Sequence, residues 1–137
     1  MNESIRKRIS ESFIKQGFME TLGASLISIE EGKVIIQCPF DPKLSQQNGF
    51  FHAGVLTSIV DSACGYAAYT VMPDQSDVLS VEFKINFLKP ANANLIYAIG
   101  NVIQVGKTLV ICEGMVTNDK QDKVFAKMIA TLMTINK

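Results

Sequence analysis

QQNGFFHAGVLTSIVDSACGYAAYTVM, residues 46–72, is the stretch that decides the fold: an apolar run rich in small residues with one carboxylate, Asp61, at its centre. From Ala53 onward the pattern is helical, yet it lacks the charged face of a surface helix. An ionised carboxylate taken out of water is unfavourable unless partners compensate it, so Asp61 has either a structural partner or a chemical task. Stepped at about 100° per residue, Gly54, Thr57, Ser58, Asp61, Cys64, Gly65 and Ala68 share one side, and Val55, Leu56, Ile59, Ala63, Tyr66 and Ala67 the other. The bulky side is expected to face a sheet. The small side is expected to meet a second helix, a slender ligand, or both. Residues 53–72 approach membrane-spanning length, but Thr57, Ser58, Asp61 and Ser62 interrupt them and flanking anchors are missing, so a buried helix of a soluble domain is expected.

Downstream the period changes. VLSVEFKINFLKP alternates, with Val81, Phe83, Ile85 and Phe87 on one face and Ser80, Glu82, Lys84 and Asn86 on the other, and Pro90 ends it. NLIYAIGNVIQVG, KTLVICEGMVTND and KVFAKMIATLMTI read as three further strands, with tight turns at 105–107 and 118–120. A four-stranded antiparallel meander is the expectation. Upstream, GASLISIEEGKVIIQCPF reads as a hairpin around Glu31 and Gly32, and Ile5, Ile9, Phe13 and Ile14 recur at the spacing of an amphipathic N-terminal helix. The fold class is therefore α+β: an antiparallel sheet wrapped around a long central helix, in one domain over residues 1–137.

Charge and cysteine usage narrow the function. Thirteen basic and thirteen acidic residues are interspersed, which gives no electrostatic footprint for nucleic acid or an anionic membrane. Neither is expected as a partner. Cys38, Cys64 and Cys112 are odd in number and widely spaced, which fits reduced thiols of a cytoplasmic protein and no metal site. The N-terminus has Glu3 and Glu11 and no continuous apolar run, so neither a secretory signal nor an organelle presequence is expected.

Gln46, Gly49, His52-Ala53-Gly54, Asp61 nine positions after His52, and the later strand SVEFKINFLKPA together resemble the hotdog-fold acyl-CoA thioesterases, specifically the phenylacetate-pathway (PaaI-like) group. The likeness covers roughly residues 40–135. Where that family usually has His-Gly-Gly, this chain has His52-Ala53-Gly54; the family uses a backbone N–H at the second position, which alanine also supplies. The resemblance implies that the Ala53 N–H holds the thioester carbonyl oxygen, that Gln46 places the carbonyl or the water, and that Ser80 supports the water or the carboxylate. It implies that Asp61 acts as general base or as nucleophile. His52, Gly54, Phe51, Gly65, Val81 and Lys84 are the expected substrate-binding residues. No metal or redox cofactor is implied, coenzyme A being part of the substrate.

A geometric point stands without the family. Ala53 and Asp61 are eight positions apart, about 12 Å along one helix, too far to touch one thioester. Two antiparallel copies, packed through Gly54, Ser58, Gly65 and Ala68, would bring each helix start to the other's Asp61. A homodimer with shared sites is expected, with a further pairing into a tetramer. Phe50, Phe51, Tyr66 and Met72, with the N-terminal helix, are expected to line a pocket for a medium-chain or aromatic acyl group. Lys84, Lys89, Lys107 and Lys120 are the candidates for the phosphates of coenzyme A. Competing readings are a structurally paired Asp61, a His52 base, an acyl-CoA sensor without turnover, and a hotdog dehydratase.

Overall fold

The computed structural model describes residues 2–137. Helix α1 (Glu3–Ile14) and a short α2 (Gly17–Leu22) precede the hairpin of β1 (Ser25–Glu30) and β2 (Lys33–Pro39); a single 3-10 turn (Pro42–Leu44) then leads to the long helix α3 (Ala53–Tyr69). Strands β3 (Ser76–Phe87), β4 (Leu95–Val105), β5 (Leu109–Asn118) and β6 (Val124–Asn136) complete the chain. All strands join one antiparallel sheet in the order β1-β2-β4-β5-β6-β3. Its inner face wraps α3, which touches every strand from β2 to β6. Val55, Leu56, Ile59, Val60 and Ala63 of the helix are buried against Val34, Ile36, Ile96, Ala98, Val110, Val116 and Leu132 of the sheet. No helix among the described residues is long and apolar enough to cross a membrane.

Three expectations are corrected. The meander has three strands, β4 to β6; β3 lies beyond β6, at the opposite end of the set from β4. The link 88–94 is too long for a tight turn, and the backbone N–H groups of Leu88 and Lys89 stay bonded to Phe125 O at the start of β6 before the chain crosses to β4. The turn expected at 118–120 is a five-residue loop, 119–123, in which the Asn118 side chain accepts from the Asp122 and Lys123 N–H groups. Cys64 and Ala68 do not belong to an exposed stripe: both are fully buried, Cys64 because its sulfur packs against Gly114 of β5 and Ala68 because from Tyr66 to Thr70 the helix is enclosed on all sides.

Two glycines let the helix lie close on the sheet. A Cβ at Gly100 would collide with the carbonyl of Ala63 and stand 2.7 Å from Cys64 N, and one at Gly114 would stand 2.6 Å from Val60 Cγ2 and 2.8 Å from Cys64 Sγ. Position and height of α3 are thus set by strands β4 and β5. Helix α1 is fastened to the far end of α3: the Arg8 guanidinium donates to the carbonyls of Tyr69 (2.7 Å), Pro73 (3.1 Å) and Met72 (3.3 Å) and stacks 4.2 Å over the Tyr69 ring. A cation there satisfies carbonyls that the helix itself leaves unpaired. Ile9 is buried under α1 as expected, whereas Ile14, expected on the same face, points to solvent.

Candidate functional site

His52 caps α3. Its Nδ1 accepts the Gly54 N–H at 2.7 Å and its carbonyl accepts the Val55 N–H at 2.9 Å, while the Ala53 N–H has no acceptor among the described residues. The cap therefore consumes the two N–H groups that follow Ala53 and leaves the Ala53 N–H as a free donor at the positive end of the helix. It also engages the Nδ1 lone pair, which removes that nitrogen as a base. Beside this donor, the loop 45–51 folds over the Gln46 side chain, whose Oε1 accepts from the Asn48 (2.7 Å) and Phe50 (3.1 Å) N–H groups. With the amide oxygen held, the amide NH2 is the end left to donate. Gln46 and Ala53 line a cavity of about 490 Å3 with Phe50, Phe51, Leu56 and Lys89. Phe51 is buried there, edge-on to Phe40 at 5.2 Å.

Asp61 lies two turns further along the same helix, in a second cavity of about 250 Å3 that also includes Ser12, Gln16, Gly65, Tyr66 and Ser80. The Ser80 hydroxyl donates to Asp61 Oδ1 at 2.7 Å. Burial raises the Asp61 carboxyl above its ordinary range, and the Ser80 hydrogen bond, which favours the ionised form, offsets part of that rise. No basic side chain pairs with Asp61 in either the hydrogen bonds or the ion pairs of the described residues. Asp61 is thus a half-buried carboxylate held by one hydroxyl and aimed at open space.

The Ser80 contact depends on a β-bulge. Along β3 and β6, Ser80 pairs with Leu132 but Glu82 pairs with Thr131, so Val81 is an extra residue without a partner. Ser80 consequently shares the inner face with Phe83 and Ile85, opposite to the strict alternation expected from the sequence. Glu82 and Lys84 face outward, Glu82 accepting from the Thr131 hydroxyl.

The remaining expected residues scatter. Gly54 lines a shallow cavity on the other flank of the helix start, Gly65 opens onto the Asp61 cavity, and Val81 sits exposed on the bulge. Lys84 lies on the outer face of the sheet, away from Asp61; of the four lysines considered for phosphates, only Lys89 borders either site cavity. Met72 is in the core rather than in a pocket. Cys64 and Cys112 are buried, and burial pushes the Cys112 thiol up to about 12 and the Cys64 thiol further, which leaves neither as a nucleophile. Ser12 and Gln16, absent from the sequence expectations, reach Tyr66 only because α1 folds back along α3, a tertiary contact with no local signature.

Comparison with known proteins follows the same lines. The sequence profile described as the thioesterase superfamily matches residues 48–125. The chain is 30% identical over 106 residues to the 1,4-dihydroxy-2-naphthoyl-CoA hydrolase of Listeria monocytogenes, covering 77% of this chain and 85% of that one. A thioesterase family protein from Silicibacter pomeroyi superposes with a TM-score of 0.93 at 38% identity, over 97% of this chain and 99% of the other. The E. coli PaaI protein from the phenylacetic acid degradation operon shares the fold, with a TM-score of 0.88 at 21% identity over 98% and 95% of the two chains.

Proposed function

This chain belongs to the thioesterase superfamily and is a hotdog-fold thioester hydrolase, and from that premise we propose that it cleaves medium-chain or aromatic acyl-coenzyme A at sites shared between two copies of the chain. The observation that carries the reading is the division of the site: the free Ala53 N–H and the Gln46 amide lie in one cavity, Asp61 and Ser80 in another. Eight helical residues, about 12 Å, separate them, so one chain supplies each thioester with only half of what it needs.

The second copy completes the site if the two meet along β3. That strand runs 12 residues and is paired on one side only. Leu79, Val81, Phe83 and Phe87 on it are each between 39% and 53% exposed, a long apolar open edge of the kind that proteins pair or cover. Edge-to-edge pairing about a twofold axis sets the two α3 helices antiparallel, their exposed Gly54 and half-buried Ser58 and Gly65 facing, and the Ala53 N–H of one chain near Asp61 of the partner subunit. Two such dimers pairing into a tetramer extends the same proposal.

In this arrangement the Ala53 N–H and the Gln46 NH2 hold the carbonyl oxygen and stabilise the oxyanion that forms on attack. Asp61, oriented by Ser80, takes a proton from water as its oxygen bonds to the carbonyl carbon. The C–S bond then breaks, the thiolate recovers the proton from Asp61, and a carboxylic acid and coenzyme A leave. Direct attack by the carboxylate, giving a mixed anhydride that water opens, uses the same groups.

Thiol release from a panel of acyl-CoAs tests this. Asp61→Ala and Asp61→Asn are expected to lose at least about 100-fold in kcat while remaining folded and dimeric. Ala53→Pro removes the N–H alone: it occupies the first helical position, where proline is tolerated, and His52 before it already has φ −64° and ψ 140°, as a pre-proline residue requires. A loss of about 100–1,000-fold is expected from it as well. Wild-type binding of acyl-CoA without thiol release would put the sensor reading in its place, and full rate in the Asp61 variants would make Asp61 a structural residue.

A further inference from the structure

We propose that Arg8 and Tyr69 are positioning residues for the reaction, holding the turn between α3 and β3 so that Ser80 meets Asp61; this rests on the thioesterase reading with Asp61 as its reacting carboxylate. The two partners stand at equal reach from that turn. Asp61 lies eight helical residues before Tyr69, about 12 Å, and Ser80 lies four strand residues after Ser76, about 13 Å. The Tyr69 hydroxyl donates to the Ser76 carbonyl at 2.9 Å. One hydrogen bond thus joins the two arms at the turn, and the Ser80–Asp61 bond joins them again at the site. A shift at the first displaces the second.

The sheet alone holds Ser80 weakly. The bulge at Val81 divides β3 into two pieces, 76–80 and 82–87. The second piece pairs with residues 126–131 of β6, which β5 flanks throughout; the first pairs with 132–136, of which Ile135 and Asn136 have no β5 partner. The turn is also bent against the preference of one of its residues: Gln75 has φ 64°, in the left-handed region, without a glycine's freedom. Such a conformation persists where its surroundings impose it. Here Arg8 donates to the carbonyls of Tyr69, Met72 and Pro73 and lies on the Tyr69 ring, and the Ser76 hydroxyl donates to the Pro73 carbonyl. The guanidinium does this without a buried counter-ion. Its side chain is 14% exposed, its Nε has no partner among the described residues, and Asp74, 3.8 Å away, is 84% exposed. A buried charge met in this way contributes little net stability, which points to placement of the turn as its task.

The test is a cycle of single and double substitutions read by thiol release from acyl-CoA. Tyr69→Phe removes the hydroxyl alone and alters no charge; Arg8→Ala frees the three carbonyls. Each is expected to lower kcat about tenfold with KM unchanged. Once Ser80→Ala is present, each is expected to change kcat by less than about twofold, because the contact they set is already gone. The acid limb of kcat/KM is a second readout. Asp61 is faced by Asp77 from β3, by Tyr66 and Cys64 of its own helix, and by the uncharged Ser12 and Gln16 from the N-terminal helices, none of which these substitutions alter. Tyr69→Phe is expected to raise the limb in the same direction as Ser80→Ala, and to raise it no further when Ser80→Ala is present. Equal factors with and without the Ser80 hydroxyl, or a wild-type kcat and limb in both variants, would overturn the positioning role and leave the thioesterase reading standing. Full rate in Asp61→Asn, or no thiol release from any acyl-CoA, would overturn both.

Discussion

At the scale of the residue, Asp61 stands out in the sequence because nothing near it in the chain neutralises it, and it stands out in the structure for the same reason. Burial, only partly offset by Ser80, holds its carboxyl above the ordinary range. An acid raised in the folded state destabilises the fold when ionised: the penalty is fully present above the raised value and vanishes as pH falls toward the ordinary carboxyl range. Asp61→Asn is therefore expected to melt at a higher temperature than wild type at pH 7, with the advantage disappearing as both are titrated to about pH 3.5. For the active enzyme the acid limb of kcat/KM is expected above the normal carboxylate range, and Ser80→Ala is expected to move it higher still, because the lost hydroxyl favours the ionised form. A limb in the usual Asp range would mean that another group governs the rate. Asp61 was thus legible in the sequence as a carboxylate that the fold leaves without a basic partner among the described residues. The facing of Ser80 was not, because alternation counts residues and a bulge adds one without announcing it.

At the scale of the element, the long helix was legible from its composition and the hairpin from Glu31-Gly32, since each depends on local chemistry. Strand order was not: the position of β3 beyond β6 is fixed by pairing between residues some fifty apart, such as Phe83 with Ala130. The same non-local packing explains the two glycines beneath the helix. At Gly100 a methyl meets helix backbone, which cannot yield, whereas at Gly114 it meets the ends of the Val60 and Cys64 side chains, which can. Gly100→Ala is expected to cost more than Gly114→Ala in denaturant midpoint, at or beyond the upper end of the about 1–3 kcal/mol typical of overpacking. It is also expected to lower kcat, since lifting α3 off β4 moves Asp61 away from Ser80. Equal costs at the two positions would show that the helix backbone is not what sets the contact.

At the scale of the whole molecule, the proposed arrangement leaves neither half of the site sufficient alone, and mixing separates a shared site from a private one. A dimer of one Asp61→Ala chain with one Ala53→Pro chain pairs an intact Ala53 N–H with an intact Asp61 at one of its two sites. Random exchange makes about half of the dimers mixed, so a mixture of two inactive variants is expected to recover about a quarter of wild-type thiol release per chain, a recovery that follows from the twofold arrangement. A mixture that stays inactive after subunit exchange, shown by mass or by a tag, would place both groups in one chain's site. The length argument from eight helical positions already pointed this way in the sequence; the open β3 edge, which supplies the surface for pairing, emerged only with the strand order.

The unpaired Val81 has a consequence for how this protein tolerates a change in chain length. A substitution at Val81 changes a half-exposed side chain and leaves the count of residues intact. Removing that one codon in frame joins Ser80 directly to Glu82, whose partners Leu132 and Thr131 are already adjacent on β6, so the ladder closes without a bulge and Ser80 keeps its inward side. The bulge is in this sense a spare place in the strand: a residue can be lost there without moving any other residue of β3 to the opposite face, a tolerance invisible to any survey of the protein that only exchanges one amino acid for another.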